Sequence, residues 1–588
     1  MNQSENDTIT KEIKAFFKGD IQYDQKTLET YSYDASLFKV TPEIVVFPKD
    51  VEDIKKLVTW VKDSKHKYPN LSLTARAAGT CMSGGSLNTS IILDTTKYLD
   101  KIISVERSGD KKIIPVFPGG EEVVIVGHAI VEPGCFYRDF EKETLKKDLL
   151  LPCYTASKSI NAMGGMVGNN SAGELTLRYG KTEDYVSELS IILSDGNEYT
   201  VKPLSRKELE QKIAGVGFEA DLYKSLAKLI DNNKEIIHNS KPQVSKNSAG
   251  YTIWNVWNRA RGEQEEVFDL PKLIVGSQGT LGIVTRVTID LIENPKTSKL
   301  LVVFLNKLDT LGDIVKELVA EKPQSIESYD DKTFGLAVKF FFDFLKTKGL
   351  WGFLKMSMSF IPEFFMMLTG GVPKLILLVE FAGATEEETQ RACEKARLRI
   401  KHFKLNTRIT KSQIEADKYW SIRRDSFALL RKHVRGRRTA PFIDDIVVKP
   451  EFLPEFLPKL NSLLAEYPYM VYTIAGHAGN GNFHIIPLMD MNDPKTIPTI
   501  FALSEKVYDL VALYKGSITA EHNDGIIRTP FLSKMYSKEM IDIFVQIKNI
   551  FDPLNIFNPG KKVGAKARDM EKYIIKGDHQ ALAQSHAS

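Results

Sequence analysis

Three of the chain's ten histidines fall between positions 477 and 522. Gly476-His477-Ala478-Gly479-Asn480-Gly481-Asn482-Phe483-His484 has the pattern of a strand, a glycine turn and a strand, with an imidazole at each end. Thr519-Ala520-Glu521-His522-Asn523-Asp524-Gly525 follows downstream. Two imidazoles and one carboxylate form a common ligand set for a catalytic divalent metal, because three protein ligands leave positions open for water or substrate. The competing explanation is a set of satisfied core histidines beside a glycine turn.

Three small-residue stretches carry a second kind of chemistry. They are Thr74-Ala75-Arg76-Ala77-Ala78-Gly79-Thr80-Cys81-Met82-Ser83-Gly84-Gly85, Asn161-Ala162-Met163-Gly164-Gly165-Met166-Val167-Gly168-Asn169-Asn170-Ser171-Ala172-Gly173 and Val275-Gly276-Ser277-Gln278-Gly279-Thr280-Leu281-Gly282-Ile283. Small side chains let successive backbone N–H groups approach an anion. The first has neither the dinucleotide G-x-G-x-x-G spacing nor the P-loop spacing, and alone it would pass for a tight turn. Three on one chain suggest a long ligand laid across backbone, as a dinucleotide cofactor requires.

The elements that must hold these groups alternate between two periods. Glu43 to Phe47 has a strand pattern ended by Pro48. Val51, Ile54, Leu57, Val58 and Val61 recur at helical spacing after Asp50 as N-cap, and Leu71 to Arg76 and Ser90 to Asp94 are further strands. From Pro295 the pattern changes to long charged helices and apolar stretches, which suggests an inserted domain. Glu539 to Lys562 is helix-periodic and ends in Asn558-Pro559-Gly560-Lys561.

The 588 residues correspond to roughly four domain-sized units at about 150 residues each. Ordinary globular composition excludes disordered or collagen-like classes. The net charge of 79 − 75 = +4 gives no nucleic-acid footprint. Four cysteines without a CxxC pair exclude a disulfide framework and a sequence-readable iron–sulfur or zinc-ribbon site.

In order, PEIVVFPKDVEDI, RAAGTCMSGG, VEPG (131–134), NAMGGMVGNNSAG with RYG (178–180), and GSQGTLGIVT resemble the flavin domain of the p-cresol methylhydroxylase and vanillyl-alcohol oxidase superfamily. The resemblance is strongest to the branch of D-lactate dehydrogenases, glycolate oxidase flavin subunits and D-2-hydroxyglutarate dehydrogenases. It runs from about 38 to 563 with a divergent middle.

It implies an α+β fold, two-lobed, in which a p-cresol methylhydroxylase-type FAD-binding domain carries an inserted α+β cap. The expected segments are an N-terminal helical piece (1–37), the FAD-binding domain (38–294), the cap or substrate domain (295–520), a returning C-terminal segment (521–576) and a loose tail (577–588). FAD is implied, with its pyrophosphate on the loop holding Arg76, Ala78, Gly79, Thr80, Ser83, Gly84 and Gly85. Further contacts are implied at Pro133, Gly134, Gly164, Gly165, Asn169, Ser171 and Gly173, and at Gly279, Leu281, Ile283 and Asn558. No histidine stands between Arg76 and Gly85, so the FAD is expected to be non-covalent. Gln278 replaces the family's usual glutamate.

The histidine stretches resemble the family's G-H-x-G-D-G-N-x-H and E-H-G motifs. Carried over, they make His477, His484 and Glu521 the ligands of a divalent metal, zinc or manganese, and His522 the general base. Asn480 replaces the usual aspartate and Asn523 the usual glycine. Tyr419-Trp420-Ser421-Ile422-Arg423-Arg424 resembles the family's W-x-x-R segment. It makes Arg423 the candidate anchor for a substrate carboxylate, against the alternative of a helix-surface salt bridge.

The implied reaction is oxidation of a lactate-like or hydroxyglutarate-like D-2-hydroxy acid to the 2-oxo acid, with hydride passing to flavin. An alkylglycerone-phosphate-synthase-like FAD transferase and a non-catalytic flavin subunit of a larger oxidase remain as alternatives.

Two stretches bear on partners. Arg431, Lys432, His433, Arg435, Arg437 and Arg438 form a basic run that is either a solvated face or an attractor for acidic substrate or headgroups. Phe334 to Leu368 interleaves aromatics with lysines, as an interfacial membrane segment or a buried cap segment would. Without an iron–sulfur relay, the expected electron acceptor is a quinone or a carrier protein. The N-terminus lacks a signal-peptide core. The expected location is the cytoplasm, at the inner face of the membrane if the aromatic segment docks there, and no nucleic-acid partner is expected.

Overall fold

The computed structural model describes residues 3–116, 121–258, 266–331, 333, 372–434 and 436–577. The aromatic–lysine segment 334–368 and Arg435 lie outside the described residues, as do the side chains of Arg431, Lys432 and His433. The chain forms two compact units. One comprises residues up to Asn294 together with Thr519–Tyr573, and the other comprises Pro295–Ile518 with the residues from Ile574.

The first unit begins from Ile44–Phe47, four consecutive buried apolar residues, as expected of a strand covered on both faces. It pairs in parallel with Ile91–Asp94, which pairs in parallel with Leu73–Arg76; Asp20–Gln22 adds an antiparallel edge. The crossover helix Val51–Ser64 is capped by Asp50, whose side chain accepts from Asp53 N. Asp53 in turn accepts from the backbone N–H groups of Lys18, Gly19 and Lys49, each at 2.9 Å, so a buried carboxylate ties three segments together.

Ile54, Leu57, Val58 and Val61 bury one face of that helix in a cluster with Leu73, Ile91, Leu93, Ile192, Ile283, Ile556 and Phe557. The last two belong to the returning C-terminal segment, which bridges in parallel to Leu73. A second sheet runs Ile102–Val116, Glu121–Val131, Ile283–Glu293, Val186–Ile192, Glu198–Val201, with Leu149–Leu150 attached to Ile283–Glu293.

The second unit is built on a seven-stranded sheet in the order Asn406–Ile409, Thr297–Leu305, Leu375–Gly383, Ser325–Asp330, Ile474–His477, Asn482–Ile485, Ile446–Val447. Tyr419, Trp420 and Ile422 of the helix Gln413–His433 pack on Leu300, Val302, Phe304, Tyr329, Ile376 and Leu378 of that sheet. This packing fixes the helix that carries Arg423. Each unit is thus mixed helix and sheet.

Candidate functional site

In the first unit the three glycine stretches converge. The second and third are joined by backbone bonds from Gly276 N to Val167 O (2.8 Å) and from Gln278 N to Gly168 O (2.9 Å). Gln278 holds φ 54° and is a junction. Its amide donates to Asn169 Oδ1 (3.1 Å) and Ser83 Oγ (3.4 Å), and its side-chain oxygen accepts from Gly525 N (2.8 Å). Asn558 donates to Gly85 O and to Gln278 O and accepts from Thr74 Oγ1, which locks the C-terminal Asn-Pro-Gly turn to the first and third loops. Asn523, at φ 68°, donates to Asn169 O (3.1 Å) and Gly276 O (2.9 Å). The amide in place of glycine therefore cross-links two loops.

The expected cofactor residues divide by what surrounds them. Ala78, Gly79, Thr80, Gly164, Gly165, Asn169 and Gly279 retain accessible surface, whereas Arg76, Ser83, Gly84, Gly85, Pro133, Gly134, Ser171, Gly173, Leu281, Ile283 and Asn558 are buried. A Cβ on Gly165 would meet nothing nearer than Ala77 Cβ at 3.9 Å, and one on Gly279 nothing nearer than 3.9 Å. Beside Gly173 a Cβ would lie 1.9 Å from Tyr154 O, and beside Gly134 2.1 Å from Thr95 O. The first pair borders open space; the second pair is glycine because backbone passes against it. Arg76 directs its guanidinium to the carbonyls of Tyr31 and Tyr33 (3.3 and 2.8 Å) and over the Tyr31 ring. It shapes the first loop from behind. Burial draws the Lys561 ammonium, behind this loop, down to about 8 and pushes the Cys81 thiol and Asp34 carboxyl up.

Glu521 and His522 also belong to this unit. Glu521 Oε2 is 3.0 Å from the fully buried Lys246 ammonium, which also donates to Gly173 O at 3.3 Å. Its other carboxylate oxygen lies 3.9 Å from His522 Nε2. Lys246 thus tethers the carboxylate to the second glycine loop, a link that nothing in the residue spacing signals.

In the second unit His477 and His484 stand on neighbouring antiparallel strands, with Ala475 opposite His484 and His477 opposite Asn482. The intervening turn needs glycine at 481: φ is 69°, and a Cβ there would lie 1.9 Å from Val448 O. The two rings are 5.3 Å apart, edge to face. His477 Nδ1 lies 2.5 Å from Glu327 Oε1, and His484 Nδ1 lies 3.2 Å from Asp444 Oδ1. A carboxylate only accepts, so each Nδ1 carries a proton, and in a neutral ring Nε2 is then the nitrogen that bears the lone pair. Asp445, buried at φ 66°, accepts from Asn482 Nδ2 at 3.1 Å and has a carboxylate oxygen within 4.8 Å of a His484 ring nitrogen. Arg423 Nη2 is 3.1 Å from Glu327 Oε2. Arg437 donates to Tyr469 O at 2.7 Å. Glu327, Asp444 and Asp445 adjoin the histidine pair, and the histidine spacing did not disclose them.

Against known families, residues 42–202 match the FAD binding domain, and residues 294–562 match the C-terminal domain of FAD linked oxidases. The chain belongs to the FAD-linked oxidases. Among curated relatives it is 28% identical over 555 residues to D-2-hydroxyglutarate dehydrogenase of Pseudomonas putida, covering 93% of this chain and 50% of that protein. It is 25% identical over 559 residues to glycolate oxidase subunit GlcD of Bacillus subtilis, covering 93% of each. The chain spans about half the length of the first relatives it matches. Among solved structures it resembles p-cresol methylhydroxylase with substrate bound, at a TM-score of 0.64 and 14% identity, covering 96% of this chain and 97% of that one. That likeness establishes the fold.

The residues present in this FAD-linked oxidase fit the groups its family implies. Gly165, Gly168 and Gly279 leave open cradles between hydrogen-bonded loops, as a ligand lying against backbone requires. The donor set in the second unit has the chemistry of metal ligands, since a carboxylate on Nδ1 fixes the ring and raises the basicity of the opposite nitrogen. Among the described residues no helix is long and apolar enough to cross a membrane.

Proposed function

We propose that this chain oxidises a D-2-hydroxy acid of the lactate or hydroxyglutarate type to the 2-oxo acid. The observation that carries the reading is the pair of carboxylate-held imidazoles, His477 on Glu327 and His484 on Asp444, beside Arg423. The names of the relatives, D-2-hydroxyglutarate dehydrogenase, glycolate oxidase subunit and D-lactate dehydrogenase, support the same substrate class.

Bound non-covalently, FAD supplies the hydride acceptor, while a divalent ion, zinc or manganese, supplies the Lewis acidity that lowers the pKa of a substrate hydroxyl. His477, His484 and Glu521 are the proposed ligands, and Asp445 is a further donor beside His484. Arg423 holds the substrate carboxylate through its planar fork. His522 accepts the hydroxyl proton at a ring nitrogen. Lys246 orients Glu521 through their 3.0 Å contact. Ala78, Gly79, Thr80, Gly165, Asn169 and Gly279 line the proposed flavin cradle, and the buried members of the loops hold its shape. Electrons leave to a quinone or a carrier protein.

Dye reduction driven by D-2-hydroxy acids tests the reading. Exhaustive chelation is expected to abolish it, and zinc or manganese to restore it, with FAD released from the protein by acid. Full activity after chelation contradicts the metal assignment, and flavin retained through acid precipitation contradicts non-covalent binding.

A further inference from the structure

Glu327 lies 150 residues before His477, on the strand Ser325–Asp330. Ser328 stands opposite Gly476 and Tyr329 opposite Ala475, and continuing that antiparallel register brings Glu327 opposite His477. Its side chain is 2% exposed. A buried carboxylate is costly unless both oxygens are satisfied. Here Oε1 takes the proton-bearing Nδ1 of His477 at 2.5 Å, and Oε2 takes the Arg423 guanidinium at 3.1 Å. The Arg423 guanidinium can only donate, so Glu327 stands as the shared acceptor between it and the His477 ring. Arg423 Nε is buried and carries no partner among the described residues, so one edge of the guanidinium is tethered while another keeps hydrogen-bonding capacity.

We propose that Glu327 is a positioning residue that sets two groups at once: the Nδ1–H tautomer of His477, and the orientation of the Arg423 fork. One carboxylate thereby couples a metal ligand to the anchor for the substrate's carboxylate. The inference rests on the roles proposed above for His477 and Arg423. A ring turned to the other tautomer would present N–H, not a lone pair, from Nε2. Glutamine at 327 offers one oxygen and one NH2, so it cannot accept from both partners.

The test uses full-length, FAD-loaded protein and compares Glu327→Gln and Glu327→Asp with wild type. In metal-stripped protein labelled with ¹⁵N-histidine, the His477 signal, assigned by its loss in His477→Ala, is expected to report protonated Nδ1 in wild type and a shift toward protonated Nε2 in Glu327→Gln. Zinc affinity, measured by competition with a chromogenic chelator, is expected to fall roughly 10- to 100-fold in Glu327→Gln. KM for the hydroxy acid is expected to rise and Tm to fall, because Arg423 loses a charged partner, while flavin content of the folded protein stays at the wild-type level. Glu327→Asp, which keeps two accepting oxygens, is expected to recover part of the zinc affinity. An unchanged tautomer with unchanged zinc affinity overturns the proposal. So does a fall in Tm and flavin content with normal zinc affinity in the folded fraction, because that is what a packing role alone produces. If wild type binds no zinc, the metal reading fails separately, and the tautomer shift still decides the role of Glu327.

Discussion

Arg423 is held from two directions. Its link to Glu327 spends part of the guanidinium, and its position on a helix packed by Trp420 and Ile422 fixes the remainder. Replacing Arg423 by Met is expected to raise KM for the hydroxy acid about 100-fold, the size of roughly 3 kcal/mol from one charge-paired anchor, with a smaller change in kcat. Steady-state kinetics with excess electron acceptor measures this, and a KM within about threefold of wild type removes Arg423 from the carboxylate. His477 and His484 were visible in the sequence because a glycine turn separates them. Their carboxylate partners were not: Glu327 and Asp444 lie 150 and 40 residues away in the chain, and only strand pairing brings them close. Arg76 shows the opposite limit. Its place in a glycine loop suggested a phosphate contact, yet its guanidinium is committed to the carbonyls of Tyr31 and Tyr33.

Among the elements, the glycine loops carry the sharpest contrast. Gly165→Ala adds a methyl to open space on the exposed side of the helix Met163–Asn169, so the apoprotein is expected to keep its Tm. Its FAD affinity is expected to fall, about tenfold if the methyl takes up room the cofactor needs. Gly173→Ala drives a Cβ to 1.9 Å from Tyr154 O and is expected to destabilise the fold by about 2 kcal/mol or more. Thermal melts of apoprotein and flavin-fluorescence titration separate the two; equal effects of both variants on Tm contradict the division. Glycine-rich runs announce themselves in sequence, but which glycine faces a ligand and which faces backbone depends on the segment opposite. Asn558 and Gln278 make the same point, since their bonds join segments 280 residues apart. The helix Val51–Ser64 was legible to its cap, because Asp50 and the 3.6-residue apolar period are local signals.

Over the whole molecule, a net charge of only +4 conceals ion pairs inside the first unit: Lys246–Glu521, Lys548–Asp552, Lys562–Asp524 and Lys181–Glu183. Burial acts to raise the Glu183 carboxyl, but the Lys181 and Lys272 ammonium groups outweigh it and hold the group well below the usual carboxylate range. A carboxylate whose pKa is lower folded than unfolded adds stability that is complete above the unfolded value of 4.5 and is lost as pH falls through the depressed one. Wild type is therefore expected to lose Tm faster than Glu183→Gln as the pH is lowered from about 5. At neutral pH the variant is expected to be less stable by about 3 kcal/mol, the cost of a buried cation deprived of a partner. Parallel melting-versus-pH slopes contradict this. The alternation of periods disclosed a mixture of helix and sheet, and the α+β class came with the resemblance carried by the motif order. The order of strands in the seven-stranded sheet was not, because neighbours such as Ser325–Asp330 and Ile474–His477 are set by long-range pairing rather than by any local residue.

The most direct measurement of the central claim is anaerobic mixing of the FAD-loaded protein with a panel of paired D- and L-2-hydroxy acids while the visible flavin band is followed. Bleaching by at least one D-acid, with release of the matching 2-oxo acid and with the rate lowered by orders of magnitude in His522→Gln, is the predicted result. A flavin that no D-2-hydroxy acid bleaches, or that bleaches equally fast without His522, would contradict it.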